Sequence, residues 1–154
     1  MRGMTRPEPA RSREQRKQDV LDRLEKDKDA WVSTASADGV PTLVPLSFVW
    51  DGEALLMATR RTNPTAVNVA PDGRARIALG HTRDVVLIEA TAEVVEGPDL
   101  PKASGDAFAA KFDWDLRGRA AWVYLRFSPY AVRAWRESNE QPGRDLMADG
   151  HWLV

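Results

Sequence analysis

Residues 30–59 read AWVSTASADGVPTLVPLSFVWDGEALLMAT. Two Asp-Gly pairs, Asp38-Gly39 and Asp51-Gly52, break this stretch into three runs rich in Val, Thr, Leu and Trp. Asp-Gly is a strong hairpin signal, because glycine takes up the positive φ that a two-residue turn requires. The runs 30–36, 41–50 and 53–59 are therefore predicted strands of an antiparallel meander.

The same signals continue outward. Asn63 stands where it can cap a short helix that has Pro64 at its first position and ends near Ala70, since the missing proline N–H is no loss there. Pro71-Asp72-Gly73 turns the chain into a fourth strand at 74–79. Residues 85–95 alternate (Ile88, Ala90, Ala92 and Val94 against Glu89, Thr91 and Glu93) and predict a long fifth strand. An alanine-rich helix follows at 99–112, then a strand at 121–127. Residues 131–135 are a seventh strand or the continuation of the sixth past Ser128-Pro129, and 135–154 form a tail with one more Asp-Gly turn at Asp149-Gly150.

On the other side, Ser12 with Gln15 resembles a capping box, and Val20, Leu21 and Leu24 recur at helical spacing, so a helix is expected to about Lys28. Residues 1–11 carry two prolines and scattered charges and read as a flexible tail. Residues 12–154 then make one domain, mainly β with flanking helices. Closing its many short strands into a barrel would remove exposed sheet edges.

Composition narrows the function. There are no cysteines among the 154 residues, which excludes disulfides, thiolate nucleophiles and cysteine zinc sites. A net charge of -1 gives no electrostatic basis for nucleic-acid or anionic-membrane binding. No apolar run approaches a membrane span and no apolar signal segment is visible, so a cytoplasmic location is the expectation. The two histidines, His81 and His151, lie far apart and outside any metal spacing. No nucleophile elbow, P-loop or G-x-G-x-x-G is present. With neither a metal site nor a catalytic set of side chains, any enzymatic activity must draw its reactive atom from a cofactor.

Three segments stand out. The first is Thr59-Arg60-Arg61-Thr62-Asn63-Pro64-Thr65, where cations and hydroxyls cluster between a strand and a capped helix. Such a place suits an anion, though a polar loop with an ordinary cap has the same composition. The second is Val44-Pro45-Leu46-Ser47, where a proline inside a strand marks an edge, a bulge or a docking place for a flat ligand. The third runs from Ala134 to Arg144, with Trp135 beside arginines, as interface anchors or core fillers would be.

In this order the segments resemble the pyridoxamine 5′-phosphate oxidase-related family of flavin-binding split barrels. The stretches that carry the resemblance are 42–52, Ala58-Thr59-Arg60 with Asn63-Pro64-Thr65-Ala66 and Asn68, Ala78-Leu79-Gly80 with Thr82-Arg83-Asp84, and Trp135-Arg136-Glu137 with Asn139-Glu140 and Arg144. The resemblance implies a six-stranded antiparallel split barrel. It also implies a homodimer with two cofactor sites at its interface, holding FMN or, in a related branch, the deazaflavin F420. Thr59, Arg60 and Thr65 would then hold the phosphate, with Asn63 also in the cofactor site, and Val44, Pro45, Leu46 and Ser47 would line the ring. Arg83, Trp135 and Arg144 would reach the site partly from the other subunit.

The chain also departs from the family pattern. Gln141-Pro142-Gly143-Arg144-Asp145 stands where pyridoxamine phosphate oxidases have an Arg-Leu-His-Asp-Arg run, and Pro64-Thr65 stands in place of an Arg-Lys phosphate pair. The phosphate cradle would lean on Arg60, Arg61 and helix N–H groups, and the vitamin B6 reaction is not expected. The expected function is FMN-dependent hydride transfer to or from a small molecule. One alternative is F420, with Arg60, Arg61 and Arg74 lining a groove for its anionic tail. The other is a non-enzymatic flavin carrier.

Overall fold

The computed structural model describes residues 8–154. Helix α1 (Arg13–Lys26) starts at Ser12, whose extended backbone and Oγ, accepting from the Gln15 N–H at 3.1 Å, make the N-cap. It ends two residues earlier than the sequence suggests, because Asp29 already opens a strand. Val20 and Leu24 lie on its buried stripe and pack into the main core.

Strands β1 (Asp29–Ala35), β2 (Pro41–Trp50), β3 (Leu55–Arg60), β4 (Arg74–Leu79), β5 (Val85–Val95) and β6 (Trp122–Trp135) are all paired antiparallel. The sheet runs β3-β2-β1-β4-β5-β6, and β6 pairs back onto β3, closing a six-stranded barrel. Alternate residues face inward. Val32, Phe48, Leu55, Met57, Ile77, Ile88, Leu125 and Phe127 fill the interior, each at most 1 % exposed.

The 131–135 segment continues β6. One extra residue, Tyr130, is accommodated where Ala90 faces Pro129 and Glu89 faces Ala131, and this bulge tolerates the proline and lets the long strand bend. The first part of β6 closes the barrel against β3, and its last part carries β7 (Asp145–Ala148), which pairs with β8 (His151–Trp152). The C-terminal stretch read as a tail is thus a hairpin outside the barrel. It turns through Asp149 and Gly150, both at positive φ (51° and 78°). The edge of β6, the burial of Leu146 and Met147, and bonds from Arg13 and Lys17 of α1 to the carbonyls of Asp145 and Val154 hold it there, and none of these is visible locally.

Helix α2 (Pro64–Val69) plugs the end of the barrel toward which β3 runs. Helix α3 (Lys102–Phe112) begins after Pro101, later than expected, because residues 97–99 form a separate 3-10 turn. Its Phe108 meets Tyr124 edge-on at 5.6 Å, over a second small core with Leu56, Ala58, Leu100 and Leu116 on the outside of β3 and β6.

Residues 1–7 of the expected tail lie outside the described residues. Arg11, at its end, is firmly held: its side chain and backbone N–H both bond Glu140. Among the described residues no helix is long and apolar enough to cross a membrane.

Candidate functional site

The barrel is split where β2 meets β3. Their ladder comprises only Phe48–Met57, Val49–Leu56 and Trp50–Leu55. Continued in register, Leu46 would face Thr59 and Pro45 would face Arg60, but no pairing forms there. Pro45 has no N–H to give, and β2 follows β1 instead, with Leu46 opposite Ala30 and Pro45 opposite Trp31. An opening results, flanked on one side by Val44, Pro45, Leu46 and Ser47 and on the other by the end of β3 and the loop into α2. On the outer face Ser47 Oγ donates to Asp29 Oδ1 at 2.7 Å, which fixes this margin.

The segment 59–65 is contiguous in sequence but divides in space. Thr59 points inward and is 3 % exposed, and its Oγ1 accepts from Asn63 Nδ2 at 2.9 Å. Asn63 occupies the cap position of α2, but its side chain makes no bond to the helix and serves Thr59 instead, contrary to the sequence reading. Thr65 is buried within the plug. Asn68 behind it donates Nδ2 to Thr34 Oγ1 at 3.1 Å, so a buried polar pair pins α2 to β1.

Arg60, the next residue along the strand, points to the opposite face by the two-residue alternation, and its guanidinium lies over the Trp122 ring at 5.1 Å. Arg61 leaves the strand and forks onto Glu96, at 2.6 and 2.7 Å, and onto the Ala120 carbonyl. The Arg61 hydrogen bonds hold the Glu96 carboxyl below its ordinary range. The expected pair of arginines at one anion is therefore not formed. Arg74 is likewise taken up, by Asp72 at 2.9 Å.

Arg83, Trp135 and Arg144 lie elsewhere. Trp135 ends β6 opposite Val85, and Arg83, in the β4–β5 loop, points into solvent 3.4 Å from Glu137. Arg144 donates to the Gln141 carbonyl at 3.0 Å. Trp135 stands thirteen residues along β6 from Trp122, the partner of Arg60 on β3, a path of roughly 43 Å along the strand. One chain therefore presents the expected residues in two separate groups: the opening with 44–47 and 59–65, and the β6 end with Arg83, Trp135 and Arg144.

The β6 end is shaped by Arg16, which the sequence reading passed over, and by Glu140, to which it gave no role. Arg16 is 3 % exposed and donates to the carbonyls of Ala134, Glu140 and Pro142 at 3.2, 2.8 and 3.1 Å. Glu140, 2 % exposed, accepts from the Arg11 guanidinium at 2.7 and 3.0 Å and from the backbone N–H groups of Arg11 and Arg136, both at 2.8 Å. The Arg11 bonds outweigh the effect of burial and hold the Glu140 carboxyl down at about 2. A signal for Arg16 was present: it stands four residues before Val20 and eight before Leu24, on the apolar stripe of its helix.

A closed six-stranded antiparallel barrel, opened between two strands and plugged by a short helix, defines the split-barrel class. The family model described as pyridoxamine 5′-phosphate oxidase matches residues 17–145, and the chain belongs to that family. Solved structures agree on the fold. The conserved hypothetical protein Rv2991 from Mycobacterium tuberculosis superposes with a TM-score of 0.66 at 20% identity, covering 88% of this chain and 91% of that one. An F420 reductase gives 0.58 at 19% identity over 72% and 93% of the two chains. General Stress Protein 26 from Bacillus anthracis str. Sterne gives 0.58 at 18% over 77% and 92%. No curated protein matches the sequence.

The residues at the opening fit a flavin phosphate in chemical kind. Arg60 and Asn63 are exposed donors, Thr59 sets the amide of Asn63, and the interrupted backbone at Pro45 offers a flat margin. Arg61 does not belong to this donor set. No group of three or more histidine, cysteine or acidic side chains among the described residues is arranged to hold a metal ion.

Proposed function

We propose that this protein is an FMN-dependent oxidoreductase that acts as a homodimer on a small molecule. The observation that carries the reading is the unpaired margin of β2 beside the β3–α2 loop, together with the apolar face that surrounds it. The strand registers place Pro45, Trp31, Ala78 and Leu87 in one row across β2, β1, β4 and β5, with Leu43 two residues along from Pro45. Trp31 is 47 % exposed, Leu43 64 % and Leu87 40 %. A continuous apolar row of this size on a soluble barrel calls for a partner. A second copy seated on it brings the Arg83, Trp135 and Arg144 half-site of one chain to the opening of the other.

In that arrangement Arg60 and Asn63 bind the phosphate, residues 44–47 carry the ring, and Trp135 shields it from water. When bound, the flavin supplies the redox atom that the side chains lack. The chain's own contribution is position, a dry wall and hydrogen bonds. F420 is less well served, because two of the arginines expected along its tail, Arg61 and Arg74, are already engaged by Glu96 and Asp72.

The test is an absorbance spectrum of the purified protein, with titration of apo protein by FMN and by F420 and light scattering for mass. A flavin band or saturable FMN binding by a dimer supports the reading, and turnover with an electron donor separates an enzyme from a carrier. Preferential F420 binding replaces the cofactor, and no binding of either overturns the proposal.

A further inference from the structure

We propose that Arg16 and the Arg11–Glu140 pair are positioning residues of the cofactor site, acting through residues 135–144. This inference rests on the reading that Trp135 and Arg144 complete the site of the opposite subunit. Residues 136–144 contain no large apolar side chain, so hydrophobic contacts of their own cannot set their path. The path is set by polar contacts from the start of α1. Arg16 reaches carbonyls at the base, the middle and the far limb of the segment, at Ala134, Glu140 and Pro142. Glu140, held by Arg11, takes the N–H of Arg136.

Trp135 is therefore clamped on both sides, through the carbonyl before it and the N–H after it. Arg144 is fixed by the same base, since the Ala134 N–H donates to its carbonyl at 3.0 Å. Neither arginine nor Glu140 lies at the opening between β2 and β3. A planar fork spread over three carbonyls is a geometry that lysine cannot reproduce.

The experiment uses the full chain with Glu140→Gln and Arg16→Lys. FMN affinity is measured by titration, beside far-UV circular dichroism, mass by light scattering and amide hydrogen exchange. The expected result is FMN binding at least tenfold weaker in both variants, with dichroism and dimer mass retained and faster exchange confined to 134–146. FMN affinity within twofold of the wild type in both variants overturns the inference and leaves the proposed function standing. Should a variant fail to fold, the wild type alone decides: slower exchange at 135–144 on adding FMN supports the inference, and unchanged exchange there overturns it. Wild-type protein that binds no FMN removes the functional reading itself, and the inference with it, and is recorded before any variant is made.

Discussion

Arg11 and Glu140, 129 residues apart in the chain, meet as a forked ion pair, with guanidinium nitrogens 2.7 and 3.0 Å from the two carboxylate oxygens. The pair joins the entrance of α1 to the loop between β6 and β7, and Arg11 also donates to Asp19 at 2.9 Å. A buried carboxylate so placed makes the fold sensitive to acid. Glu140 has its carboxyl lowered to about 2 in the folded chain, below its unfolded value. Its contribution is therefore fully present above the unfolded value and is lost as pH falls toward 2, a total of about 3 kcal/mol. Urea unfolding across pH 2 to 7 should show a steeper acid loss in the wild type than in Glu140→Gln, and equal slopes would refute the assignment.

Arg61 offers the sharpest contrast with the sequence reading. Bound to Glu96 at the surface and screened by solvent, it should contribute little to stability. FMN affinity should be nearly unchanged in Arg61→Ala, while Arg60→Ala and Asn63→Ala each weaken it about tenfold, a loss of roughly 1.4 kcal/mol. Isothermal titration of the three variants distinguishes these sites.

Trp31→Glu places a charge in the middle of the exposed apolar row without touching the barrel interior. The expected outcome is a folded monomer by light scattering with lost FMN binding, since the second half-site no longer arrives. A variant that stays dimeric with unaltered mass would place the subunit interface on another surface.

Asn68→Ala removes the donor to Thr34 and leaves a buried hydroxyl without that partner. The cost should be about 1–3 kcal/mol in urea unfolding. The plug helix should loosen, read as faster hydrogen exchange at 64–70 than in the β5 and β6 strands.

Leu125 sits at the closure, opposite Met57 on β3 and Val94 on β5, with no exposed surface. Leu125→Ala should destabilise the protein by about 2–5 kcal/mol through the cavity it leaves. Thermal unfolding followed by dichroism checks this.

Much of the barrel was legible from local chemistry. The Asp-Gly turns, the alternation in 85–95 and the Ser12 cap are each decided within a few residues, and each stands where the sequence places it. The strand status of 145–152 was not legible, because β7 and β8 exist only against the edge of β6 and their residues lack a pattern of their own. The grouping at 59–65 misled for a related reason. Neighbours along a strand point to opposite faces, so Thr59 and Arg60 part company, and Arg61 is drawn to Glu96, distant in sequence.

The amino-acid sequence by itself determined the antiparallel strands and their turns, because these follow from side-chain periodicity and from glycine and proline at particular places, and its motifs carried the resemblance to the family. Tertiary structure alone decided which donors share a space. Divergence of β2 from β3 leaves the β3-facing edge of β2 free at Pro45, Arg61 turns to Glu96, and burial of Arg16 and Glu140 shapes the loop that follows Trp135. Those outcomes depend on contacts between residues far apart in the chain, whose distances no local pattern encodes.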